Sequence, residues 1–229
     1  MASYLPATGY AATRLKKAFQ AWHVQGLSPD EDITRNLNDL RARSRDLVMT
    51  TPLAAGAIKA IAAGVVGSGL MVHPHIDREF LRMTDEQAAA WEKNTEREWL
   101  AYSESTMCDA QRNMNFYQLQ RLVLMSALTS GDCFVAMPYV PAPGSVYQLC
   151  AYVIEGDRVC DPGNGFIADL VDLNKDIREG IEIGQYGEPV AYYLSKYHPG
   201  DFSGRHIAIQ EWAKIQAFGA SGRRNLLHV

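Results

Sequence analysis

Residues 116–136 read FYQLQRLVLMSALTSGDCFVA, and the backbone habit they demand changes at Gly131. The run FYQLQRLVLMSALTSGD reads as a helix that Gly131 stops, because a glycine just past the last turn adopts the left-handed conformation that ends helices. The next residues, CFVAMPYV, are β-branched and aromatic and read as a strand. With helical signals upstream and strand signals downstream, the fold class is α+β, with N-terminal helices packed against a C-terminal, mostly antiparallel sheet. Three parts are expected: an N-terminal arm over residues 1–27, a helical part over 28–131 and a β-rich part over 132–229.

Upstream, Ser28-Pro29-Asp30-Glu31 combines a cap, a first-turn proline and a capping box. It predicts one helix ending near Thr50, with Ile33, Leu37, Leu40, Leu47 and Val48 on its buried face and Arg35, Arg41, Arg43 and Arg45 mostly elsewhere. Thr51-Pro52 opens a second helix of small residues, LAAGAIKAIAAGVVG, which Gly64, Gly67 and Gly69 break. Residues 70–73 are short and apolar and predict a strand. Thr84-Asp85-Glu86-Gln87 is another capping box, and the helix it opens carries Ala88, Trp91, Thr95, Trp99 and Tyr102 at helical spacing, so both tryptophans are expected to pack inward.

Downstream, SVYQLCAYVIE and VAYYLSKY are strand-like. Residues 180–183 and 189–192 predict a hairpin around Gly184-Gln185-Tyr186-Gly187-Glu188, where two glycines allow positive φ. Residues 225–229 read as a terminal apolar strand, an abrupt place for a domain to stop.

The chain has 229 residues, 47% hydrophobic and 21% charged, with a formal net charge of −4. That composition is of a folded protein, and the acidic balance argues against a surface devoted to binding phosphates. Cys108, Cys133, Cys150 and Cys160 show no C-x-x-C or zinc-type spacing and read as small buried apolar residues of a reducing compartment. The N-terminus lacks a signal-peptide core, and residues 52–70, with Lys59 and many Ala and Gly, fall short of a membrane span. No membrane association is expected.

Candidate chemistry is sparse. His73-Pro74-His75 places two imidazoles on one side of an extended segment, as a metal pair would need, but no third ligand stands nearby. A small metal-dependent hydrolase would have to combine them with the carboxylates Glu155, Asp157, Asp161, Asp169, Asp172 and Asp176, whose bland reading is a solvated loop around Pro162-Gly163-Asn164-Gly165. The glycines at 64, 67 and 69 follow a helix and lack the Lys-Ser/Thr ending of a phosphate loop. No serine elbow or cysteine motif gives nucleophilic catalysis a foothold, so neither catalytic residues nor cofactors are expected. Arg41, Arg43 and Arg45, with Arg14, Lys16 and Lys17, are candidates for contact with acidic partner surfaces or DNA phosphates.

The order of short motifs is more specific than any one of them. Arg45-Asp46-Leu47-Val48 leads into Pro52, Ala55-Gly56-Ala57-Ile58 and Val65-Val66-Gly67-Ser68-Gly69-Leu70. Then come Trp91, Trp99, Cys108-Asp109-Ala110, Asn115-Phe116 and Ser130-Gly131-Asp132-Cys133-Phe134-Val135. Ile154-Glu155-Gly156-Asp157-Arg158-Val159, Pro162, Gly180-Ile181-Glu182, His198-Pro199-Gly200-Asp201 and Gly222-Arg223-Arg224-Asn225-Leu226-Leu227-His228 complete the series.

Over residues 40–229 this order resembles the N-terminal half of the lambda-type phage portal family. The resemblance implies a subunit of a ring, usually dodecameric, a head-tail connector at one capsid vertex through which DNA is packaged and ejected without sequence-specific binding. It also implies capsid or scaffold and terminase partners, a virion location after assembly in the host cytoplasm, and no catalysis. Residues 28–131 and 132–229 would then be the helical and β-rich parts of the portal wing, ending before the stem. Subunit contacts are expected from Arg41, Arg43 and Arg45 and from the Trp91 helix, although its aromatics read first as core. Another minor capsid or head-closure protein is the nearest alternative within virion components.

Overall fold

In a computed structural model the described residues are 26, 28–162, 176–201 and 212–229. Asp169, Asp172 and the basic residues Arg14, Lys16 and Lys17 lie outside them, as do the arm up to residue 25 and most of the turn at 162–165. The chain divides into two compact units, Met1–Leu37 and Asn38–Val229.

In the first unit, α1 spans Pro29–Thr34, and the Ser28 side chain accepts from the Glu31 backbone N–H at 3.2 Å. The predicted single helix is interrupted at Arg35 and Asn36, where the Asn36 N–H returns to the Ile33 carbonyl at 2.9 Å. A new helix, α2, runs over Leu37–Thr50.

The second unit holds the remaining elements. α3, Pro52–Val65, follows α2 at an angle of 97°, and among the described residues no single helix is long and apolar enough to cross a membrane. α4, Asp85–Ser103, begins with the expected Thr84/Gln87 capping box, and α5, Phe116–Ser130, begins with a second one made by Asn115 and Gln118. Gly131 ends α5 at φ +87° as the sequence requires.

Two antiparallel sheets follow. The first has β1 (Cys133–Ala136) between β2 (Tyr152–Glu155) and β7 (Leu226–His228). The second orders β3 (Asp176–Arg178), β4 (Ile181–Ile183), β5 (Pro189–Ser195) and β6 (Trp212–Gln216), with the predicted hairpin as β4 and β5.

β1 is buried on both faces, and its period of two sends side chains alternately into two cores. Phe134 and Ala136 join Ile154, Tyr192, Leu194 and Leu226, where the two sheets meet. Val135 points the other way, to Leu119 of α5, Cys108 and Ala151. Helices, three-stranded sheet and four-stranded sheet therefore stack as layers, with each fully buried large apolar side chain contributing about 1.5–3 kcal/mol.

Residues 70–73, expected as a strand, are irregular. The Gln120 amide on α5 takes both backbone groups of Leu70, accepting from its N–H at 2.7 Å and donating to its carbonyl at 3.1 Å. Gly69 just before it runs so close to the Tyr117 ring that a β-carbon would sit 2.2 Å from Cδ1. The start of the segment is thus pinned to a helix surface, where both backbone groups of Leu70 are spent.

Candidate functional site: an arginine-carboxylate clamp

α2 is partly inverted relative to its apolar periodicity, although Leu37 and Val48 stay half-buried. Arg41 is only 5% exposed, whereas Leu40 and Leu47 are 52% and 53% exposed. Charged groups held inside a fold need partners, and Arg41 has two. Its Nε donates to the Ser130 carbonyl at 3.1 Å and its guanidinium to Asp132 at 2.6 Å. One turn on, Arg45 donates to the Ser130 hydroxyl at 3.1 Å and pairs with Asp157.

Ser130 is the last residue of α5, so the Arg41 bond satisfies one of the carbonyls a helix end leaves orphaned, on the terminus where positive charge is favoured. The i, i+4 spacing places both guanidinium groups on one face of α2.

The carboxylates are themselves held. His228 Nε2 lies 3.0 Å from Asp132 Oδ1, stacking its ring on Phe134 with centroids 4.3 Å apart. That hydrogen bond, together with the one from Arg41, outweighs burial and holds the Asp132 carboxyl below its ordinary range. Burial alone would raise Asp157, but the Arg45 hydrogen bond and the Arg45 and Arg41 charges hold it low as well. His198 stands 3.7 Å from Glu155 and 3.9 Å from Asp157.

The backbone around the clamp is shaped to admit it. A β-carbon on Gly156 would fall 2.9 Å from an Arg41 nitrogen. Arg158 ties the clamp to the second sheet through the carbonyls of Ser195 (3.0 Å) and Lys196 (2.9 Å). Gly180, at φ +76°, approaches Cys160 so closely that a β-carbon would lie 2.5 Å from its nitrogen, and its own N–H donates to Asp161 at 2.7 Å.

Other motif residues act as joints in the same sense. The buried Asp109 carboxylate accepts from the backbone N–H groups of Gln111, Asn113 and Met114 at 2.9, 3.0 and 3.1 Å, closing the turn before α5. His198 Nδ1 accepts from the Gly200 N–H at 2.9 Å. Asn225 donates to the Gln216 carbonyl at 3.1 Å, steering the chain into β7.

The cleft beside the clamp, of about 510 Å³, is lined among others by Arg41, Arg45, Asp157, Cys160, Glu179 and His198. Burial first, then the Asp161, Glu179 and Asp157 charges, push the Cys160 thiol up to about 11. A thiol that stays protonated at neutral pH is a poor nucleophile, and of the carboxylates facing it Asp157 pairs with Arg45 while Asp161 accepts the Gly180 N–H. The arrangement can fasten elements together.

Of the three arginines singled out in the sequence, Arg41 and Arg45 are thus engaged inside the chain, while Arg43 faces solvent. Trp99 packs inward, edge-on to Phe116 with centroids 5.0 Å apart, but Trp91 is 46% exposed, contrary to expectation. Helical spacing alone did not show that the neighbouring layer ends before Trp91. His75 lies 3.6 Å from Glu92 on the surface, and no group of three or more potential metal ligands occurs among the described residues. The clamp partners Asp132, Asp157 and His228 were not identifiable as such from sequence. Each lies inside one of the ordered motifs, which was the available signal.

The chain is 24% identical over 213 residues to portal protein B of Escherichia phage lambda and, at the same identity and length, to the portal protein of Escherichia phage N15. It is 21% identical over 218 residues to a probable portal protein of Halomonas phage phiHAP-1. These alignments cover 92%, 92% and 91% of the chain, but it spans only 38–39% of the length of those relatives, in their N-terminal portion. The motifs that form the clamp and its neighbouring joints fall within residues 16–229, which match the family described as phage portal protein, lambda family, and the chain belongs to that family.

Proposed function

We propose that this chain supplies the outer packing part, or wing, of a ring-forming portal subunit, the head-tail connector at one capsid vertex through which DNA is packaged and ejected. The observation that carries the reading is the family match over residues 16–229, and the geometry supports it. The ordered motifs serve as joints that hold layers in place, as a scaffold requires. Residues 28–131 and 132–229 are then the helical and β-rich parts of that wing.

A head-to-tail ring needs two different patches on each subunit. Among the described residues the helical part exposes the apolar side chains Leu40, Leu47, Met49 and Leu53. Contiguous exposed apolar surface marks protein contacts. Arg43 stands beside this surface, and Arg41 and Arg45 serve the contact by fixing how α2 presents it. Capsid or scaffold protein and terminase are the further partners, and the virion, assembled in the host cytoplasm, is the location. A net charge of −4 suits a ring that must let DNA slide, since tight phosphate binding would stall it.

Native mass spectrometry and negative-stain electron microscopy of the complete gene product test this. A closed ring, dodecameric by family resemblance, is expected. A product that stays monomeric at low and high salt, or that turns over a substrate with stoichiometric bound metal, overturns the reading.

A further inference from the structure

One face of α4 takes no part in the clamp and is only partly covered, with Trp99 and Tyr102 packed on Phe116 beside the Leu119 core and Trp91 left open. Trp91, Glu98, Trp99 and Tyr102 on the helix and Tyr147 opposite line a mostly apolar groove of about 470 Å³. Trp91 is open to solvent, and Glu98 is held by the Tyr147 hydroxyl and by Arg97 at 3.3 Å. The Trp99 indole N–H is buried with no acceptor, a donor left without a partner at a cost folds normally avoid. Along α4, Asp85, Glu86, Glu92, Glu96 and Glu98 outnumber Lys93 and Arg97, so the helix has a net charge of −3.

Aromatic faces beside a carboxylate attract cations, most strongly over tryptophan. The complementary chemistry is a basic segment with apolar side chains. Residues 1–27 of this chain have that composition: Arg14, Lys16 and Lys17 with no Asp or Glu, interleaved with Leu15, Phe19 and Trp22.

We propose that the α4 groove of one copy receives residues 1–27 of a neighbouring copy, a basic side chain lying over Trp91 beside Glu98 and a backbone carbonyl accepting from Trp99 Nε1. Arm and groove are different surfaces, so the contact is head-to-tail and propagates round a ring. A segment of that length reaches up to about 90 Å when extended, enough to meet an adjacent subunit. The inference rests on the self-association proposed above and names one of its contacts.

The test mixes isotopically light and heavy copies of the full chain, joins lysines to carboxylates with a carbodiimide, and reads the cross-linked peptides by mass spectrometry. Peptides joining Lys16 or Lys17 to Glu96 or Glu98 are expected with one light and one heavy partner. Trp91→Ala, which keeps every cross-linking group, should lower their yield about tenfold, while Trp91→Phe retains much of it. Circular dichroism unchanged in both variants separates loss of contact from loss of fold. Cross-links confined to one isotope, or insensitive to Trp91→Ala, overturn the proposal. A ring of the complete gene product without this cross-link removes the arm contact and leaves the portal reading standing.

Discussion

At the residue scale, Arg41 and Arg43 make opposite predictions from opposite faces of one helical turn. Removing the Arg41 guanidinium leaves the Ser130 carbonyl and one Asp132 oxygen without their donor inside the fold. Arg41→Met should cost about 2–3 kcal/mol, at or just below the low end of the range for breaking a buried pair, because Asp132 keeps His228 and some solvent. Arg43→Met should stay within about 0.5 kcal/mol, as exposed substitutions do. Urea titration of both variants checks the pair, and equal losses would refute the inverted orientation of α2.

The clamp carboxylates also set an acid limit. Asp132 and Asp157 are held below their ordinary values in the fold. A depressed folded value means stability that is present above the unfolded value, near about 3.9, and is lost as pH falls through the folded one. Melting temperature should therefore drop below about pH 4, and an Asp132→Asn, Asp157→Asn double variant should be less stable at neutral pH yet show a smaller acid-induced drop.

At the element scale, features carried by neighbouring residues were legible and those carried by distant ones were not. The Thr84/Gln87 box, the Gly131 stop and the β4–β5 hairpin depend on residues a few positions apart, and each appears where the sequence predicts it. The burial of Arg41 depends on partners 89 and 91 residues away, so local periodicity assigned that face to solvent. Residues 70–73 are irregular where a strand was expected, and Leu70 at their start gives both backbone groups to a side chain 50 residues downstream. The Asn115/Gln118 box was equally local, and the polar loop before α5 contained its signal. Asn115→Ala should cost about 1 kcal/mol, measured as a fall in the denaturation midpoint without a change in slope.

The second sheet has its own internal charge. Glu182 on β4 is buried and accepts from Lys214 on β6 at 2.5 Å and from Tyr193 on β5 at 3.1 Å. Burial works against the Lys214 charge, but the Glu182 and Tyr193 hydrogen bonds outweigh it and raise its affinity for the proton. Lys214→Met removes the counter-charge of the buried Glu182 carboxylate, which keeps the Tyr193 hydroxyl, and should destabilise by about 2–3 kcal/mol, with the Glu182→Gln, Lys214→Met double variant recovering part of the loss.

At the scale of the whole molecule, stability and assembly should separate. The cores that hold the layers lie around Phe134, Tyr192 and Leu226 and around Leu119 and Val135, while Leu47 and Leu53 are more than half exposed on α2 and α3. An apolar side chain that stays mostly exposed in its own chain contributes little to folding, so replacing it with a charge leaves the monomer almost unchanged. The same charge placed in a subunit contact must be desolvated without a partner, which association cannot absorb. Leu47→Lys and Leu53→Lys should each shift the unfolding free energy by no more than about 0.5 kcal/mol, yet reduce rings of the complete gene product in electron micrographs. Leu226→Ala should do the reverse, costing about 2–5 kcal/mol as a buried truncation while any folded fraction still assembles. Rings that form undiminished with both lysines in place would show that this apolar surface faces something other than a neighbouring subunit.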